Sequence, residues 1–127
     1  MAEARQMLLV EPEAMLRRTV ALTARSLGVA EVQEAASAEL ARQLLREQRF
    51  DGALIDIDAG DAYDLSLLDQ VRDGRTASAR DMPLAVMAAH CDEALLASLL
   101  ARGIHRIVLK PFRARTLLDT ISTLTTG

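Results

Sequence analysis

The sequence predicts a small doubly wound α/β domain. Three observations carry that expectation: short apolar runs alternate with longer amphipathic stretches, the runs suit strands buried on both faces, and each is followed by a helix-length segment. Five such pairs imply a parallel sheet with right-handed crossovers and helices on both faces.

The first run is "MLLV" (Met7 to Val10), followed by a helical pattern from about Ala14 to Leu27 that Gly28 stops. "EVQEA" (Glu31 to Ala35) is the second strand, and its partly polar content places it at a sheet edge. Ser37 has the chemistry of an N-cap for a helix running to about Glu47, with Ala41, Leu44 and Leu45 inward. "GALID" (Gly52 to Asp56) is the third strand, followed by a loop and a helix containing Leu65, Leu67, Leu68 and Val71. "PLAVMA" (Pro83 to Ala88) is the fourth, and the leucine-rich "DEALLASLLARG" after it ends at Gly103. "RIVL" (Arg106 to Leu109) is the fifth, then "KPF" and a last helix from about Ala114 to Thr125.

The 127 residues, half of them hydrophobic, suffice for one compact core, so the chain is expected to be a single domain over 1–127, with its core at about 6–125 and no output domain. Fifteen Lys and Arg against 18 Asp and Glu give a formal charge of -3, and no basic cluster suggests nucleic acid. Tyr63, Phe50 and Phe112 are too few to stack single-stranded bases. One cysteine, Cys91, rules out an intrachain disulfide, and no apolar stretch reaches the roughly 18 to 20 residues a membrane span needs. A soluble, cytoplasmic protein is expected.

In a doubly wound sheet the functional crevice lies at the carboxyl ends of the strands. Those ends carry Glu11, Pro12 and Glu13 after the first strand, Asp56 and Asp58 after the third, Ala88 to His90 after the fourth, and Lys110 after the fifth. Like charges gathered without a counter-ion are costly, so Lys110 or a divalent cation is needed there. An isolated Asp after a strand would be only a loop cap. A calcium loop starting at Asp56 fails, because Asp61 stands where the turn needs Gly and Leu67 where a bidentate Glu is needed. The "DID" pair also looks like the motif of haloacid-dehalogenase-like phosphatases, but there it sits on the first strand and continues differently. No Gly-rich phosphate loop follows the first strand.

"LLVEPEAMLRR", "FDGALIDIDAGD", "DMPLAVMAAH" and "GIHRIVLKPF" together resemble the receiver domain of two-component response regulators, over essentially the whole chain. The resemblance implies a flavodoxin-like five-stranded sheet in the order 2-1-3-4-5, acting in signalling rather than as an enzyme. It makes Asp56 the position that accepts a phosphoryl group from a histidine kinase or phosphotransfer protein. Lys110 then contacts the phosphoryl oxygens, with a cis peptide to Pro111, and Asp58 offers its backbone carbonyl to magnesium.

Three positions depart from the family pattern. Pro12 stands where a carboxylate should ligate magnesium, leaving Glu11, Asp56 and Asp58, with Glu13 as a further ligand, for at best a weak Mg2+ site. Ala88 replaces the Ser or Thr whose hydroxyl grasps the phosphoryl group, and Ile107 replaces the aromatic that rotates in response. The expectation is an atypical receiver acting by protein contacts. The alternative is a phosphorylation-independent pseudo-receiver, with a small aspartate-nucleophile phosphatase a distant third. The fourth helix, fifth strand and fifth helix form the family's usual dimer or effector surface, which here would include Leu95, Leu96, Leu99 and Ile107. His90 is expected to be a loop histidine without a role, His105 to be structural and Cys91 to be a small residue opening or preceding the fourth helix, with no zinc-ligand spacing among them.

Overall fold

The computed structural model describes residues 5–28 and 30–126, so the ends of the expected 1–127 domain lie outside the described residues. The elements follow in order as β1 (Arg5–Val10), α1 (Ala14–Ser26), β2 (Ala30–Ala35), α2 (Ala38–Glu47) and β3 (Gly52–Asp56). A two-stranded ribbon follows, β4 (Asp58–Ala59) and β5 (Ala62–Tyr63), then α3 (Ser66–Arg72), β6 (Leu84–Ala88), α4 (Glu93–Ala101), β7 (Arg106–Leu109) and α5 (Ala114–Thr126). The main sheet is parallel in the order β2-β1-β3-β6-β7, which is the expected 2-1-3-4-5 once the ribbon strands are set aside. β2 lies at an edge, as its polar residues require.

Strand periodicity sorts the core into two layers. Along β1, Met7 and Leu9 point to one face and Leu8 and Val10 to the other, because successive side chains alternate. Met7 and Leu9 meet Val20, Ala21 and Ala24 of α1 and Leu117, Ile121 and Leu124 of α5. Leu8 and Val10 share the opposite layer with Leu44 and Leu45 of α2, Leu67, Leu68 and Val71 of α3, and Leu95 and Leu99 of α4. Apolar strands buried on both sides are thus covered by two helices on one face and three on the other.

Helix ends follow local chemistry. Ser37 Oγ accepts from Leu40 N at 3.1 Å and Asp92 Oδ1 from Leu95 N at 2.8 Å, each satisfying a donor that the first helical turn leaves open. α4 runs out at Gly103, whose φ of 70° suits a residue without Cβ.

α4 is fixed at that end by two arginines. Arg72 donates from Nε to the Arg102 carbonyl at 2.7 Å and from Nη1 to the Arg80 and Met82 carbonyls, both at 2.8 Å. Arg102 in turn pairs with Asp69 of α3, Nε to Oδ1 at 2.6 Å.

The expected loop after β3 is a short antiparallel ribbon, with Asp58 opposite Tyr63 and Ala59 opposite Ala62. Gly60, at φ 63°, makes its turn.

Candidate functional site at the carboxyl ends of the strands

β1 and β3 end side by side and β7 ends one strand further on, beyond β6, so the Lys110 side chain reaches across the end of β6 to meet Glu11 and Asp56. Lys110 Nζ donates to Glu11 Oε1 at 2.5 Å and to Asp56 Oδ1 at 3.1 Å. The carboxylate side chains are only 2% and 5% exposed, so this one ammonium is the near counter-charge for two buried acids. Glu11 is fully engaged: its Oε2 accepts from Glu13 N at 2.9 Å. The Lys110-Pro111 peptide is cis, as the resemblance implied, and Lys110 N donates to the Ala88 carbonyl at 2.9 Å, tying the ends of β6 and β7 together.

Electrostatics follow from this burial. Loss of hydration pushes the Asp56 carboxyl above the ordinary aspartate value; Lys110 opposes the rise through its hydrogen bond and charge, while Glu11 and Asp58 reinforce it. For Lys110, burial alone would lower the pKa. The hydrogen bonds to Glu11 and Asp56, and their charges, outweigh it and leave the ammonium above its ordinary value.

The carboxylates expected as magnesium ligands do not converge. Glu13 is turned onto the start of α1, where its oxygens accept from Met15 N at 3.0 Å and Leu16 N at 2.8 Å as an N-cap. The Asp58 carboxylate reaches away from Asp56 to the loop after β6, accepting from Ala89 N at 3.0 Å. Pro12 carries no donor, and among the described residues no group of three His, Cys, Asp or Glu is placed to hold a metal ion. As the side chains are arranged, Lys110 sits between Glu11 and Asp56, so no set of three carboxylates is gathered for a cation.

The loop after β6 is held by the ribbon at a second point: the Tyr63 hydroxyl donates to the His90 carbonyl at 3.0 Å. Ala88 is fully buried at the end of β6, with only a methyl facing the core. Ile107 is partly buried against the α2, α3 and α4 layer. Asp61 is exposed on the ribbon, at the rim. Cys91 is partly buried beside the core and His105 is exposed.

The expected partner surface needs correction at two positions. Leu95 and Leu99 are 5% and 0% exposed, turned into the core because i and i+4 share one helix face. Their neighbours Leu96 and Leu100, with Leu109 of β7, are the exposed ones. Sequence reasoning also missed the Tyr63 to His90 bond. Its partners are separated by 27 residues and carry no local signal.

The sequence matches the response regulator receiver domain family over residues 7–122. The chain belongs to that family. Receiver domains are the signalling modules of two-component systems, and many bind magnesium. Among solved structures, this receiver is similar to the receiver domain of HemR from Leptospira biflexa in its non-phosphorylated form, at 20% identity and TM-score 0.83, covering 97% of this chain and 95% of that one. It is similar to the chemotaxis protein CheY4 of Vibrio cholerae, at 22% identity and TM-score 0.82, covering 96% and 99%. It is also similar to the receiver domain of the sensor histidine kinase PA1611 from Pseudomonas aeruginosa, at 22% identity and TM-score 0.78, covering 98% and 100%; that domain holds a magnesium ion in its active-site cleft. No curated protein sequence matches the chain. Among the described residues no helix is long and apolar enough to cross a membrane.

Proposed function

We propose that this receiver is atypical: Asp56 is the position a histidine kinase or phosphotransfer protein would address, but the α4–β7–α5 face is held in one arrangement whatever the charge on Asp56. The observation that carries this reading is the Asp58 carboxylate on Ala89 N at 3.0 Å, beside an Ala88 that has no hydroxyl. A loop drawn in by a permanent internal anion does not need a phosphoryl group to draw it in. A charge change becomes a signal only through an element with two arrangements to choose between. The exposed Leu96, Leu100 and Leu109 give that face an apolar surface for a protein partner or a second copy of the chain. Lys110 stands in for the magnesium ion as counter-charge.

NMR of the isotope-labelled protein with magnesium and beryllofluoride tests the reading. Any response is expected to stay within the strand ends near Asp56; displaced amide signals at Leu96, Leu100 and Ile107 would overturn it. Asp58→Ala is expected to raise the exchange rate of the Ala89 amide about tenfold, the effect of losing one hydrogen bond to a charged acceptor near the surface. Unchanged exchange would mean that the carboxylate does not hold the loop.

A further inference from the structure

Away from the strand ends, α2 and α3 enclose a cleft of about 300 Å³ lined by Arg42, Arg46, Ser66, Gln70 and Arg75. Three guanidinium groups meet there in a chain of net charge -3, and no carboxylate is among the lining residues. Arg42 and Arg46 lie four residues apart on one face of α2, a spacing at which like charges repel. Among the described residues neither forms an ion pair, and Arg46 makes no hydrogen bond through its side chain. Arg42 Nη2 donates to Ser66 Oγ at 3.1 Å, which aims the guanidinium across the cleft. Arg75 reaches in from the loop after α3 and is offset only by an exposed pair with Asp73 at 3.3 Å. Asp64, outside the lining, accepts from Ser66 N at 2.9 Å and from the Ser66 hydroxyl, and its charge offsets part of Arg42's while leaving Arg46 and Arg75 to the cleft. Gln70 is 7% exposed, yet among the described residues its amide has no hydrogen-bond partner in the protein. No buried side-chain nitrogen or oxygen among the described residues lacks a hydrogen-bond partner, so the Gln70 amide atoms are the part of this residue that solvent in the cleft reaches.

We propose that this cleft binds the phosphate group of a small phosphorylated molecule. Guanidinium forks match phosphate oxygens in pairs, and the Gln70 amide adds a neutral donor beside them. The volume lies at the lower end of small-molecule sites, and no aromatic residue lines it. It therefore reads a compact phosphate or diphosphate moiety and not a nucleobase. An anion there also removes the repulsion between Arg42 and Arg46.

Pyrophosphate titrated into the labelled protein at matched ionic strength is the test, with glycerol 3-phosphate and sulfate as parallel arms. The expected result is saturable change at the Arg42, Arg46 and Arg75 side-chain N–H signals and the Gln70 amide, weakened about tenfold by Arg46→Gln. Arg18→Gln, on an exposed side chain of α1, leaves it unchanged. Glycerol 3-phosphate that saturates the same signals identifies an organic monoester as an acceptable source, and pyrophosphate alone points to a diphosphate. Shifts that follow ionic strength, that sulfate reproduces equally, or that survive Arg46→Gln would overturn the proposal. Arg46 is exposed, so its replacement leaves folding intact.

Discussion

Lys110→Ala is expected to lower the stability of the protein by about 3 to 5 kcal/mol, the cost of leaving buried carboxylates without their counter-charge. Glu11 and Asp56 are 2% and 5% exposed at the side chain and share this ammonium. Urea unfolding measures the loss as a lower midpoint at unchanged slope. Acidification returns part of it, since protonating Asp56 removes one of the two opposed charges. In the native protein the sign for Lys110 runs the other way. Its raised pKa means that its contribution is full below the ordinary lysine value of 10.5 and is lost as pH climbs through the higher native one. Lys110→Met combined with Glu11→Gln and Asp56→Asn is expected to recover most of the stability, because the three changes remove the charge together. A loss under about 1 kcal/mol for Lys110→Ala, as for a surface ion pair, would show that the acids are not held this way.

Gly52→Ala is expected to destabilise by about 2 kcal/mol through overpacking. A Cβ at Gly52 would stand 2.8 Å from the Leu124 carbonyl oxygen and 3.2 Å from Leu124 Cβ. The obstacle is backbone, so trimming the Leu124 side chain gives no relief. Only a shift of α5 away from β3 makes room, and hydrogen exchange is expected to rise first in the last turns of α5. Wild-type stability in this variant would mean that α5 does not press on β3 at this point.

The legibility of the fold followed burial. β1, β3 and β6 are apolar enough to be covered on both faces, and that composition is visible residue by residue; β4 and β5 are two residues each, too short for any periodicity. The α4 leucines were over-read for the same reason. Leu95, Leu96, Leu99 and Leu100 are chemically alike, and only packing decides that the first and third face inward. At the site, topology alone brings Asp56 and Lys110 to the same end of the sheet, two strands apart, so both were legible. The Glu13 side chain also has an N-cap role open to any carboxylate just before a helix, and the Asp58 side chain has a partner distant in the chain, Ala89 N, neither of which spacing alone reveals. The contact between Glu11 and Lys110 joins residues 99 apart in the chain and has no local signature.

The two arginines that bind α3 to the far end of α4 make that helix a beam clamped at one end. Arg72 holds the Arg102 carbonyl while Arg102 grips Asp69, so the last turn of α4 moves only with α3. Any displacement started in the loop after β6 must therefore pivot about this fulcrum, greatest at Asp92 and fading toward Arg102. A partner that grips the first turn of α4 would sense the loop. One that grips the last turn would find the same surface whatever the loop does.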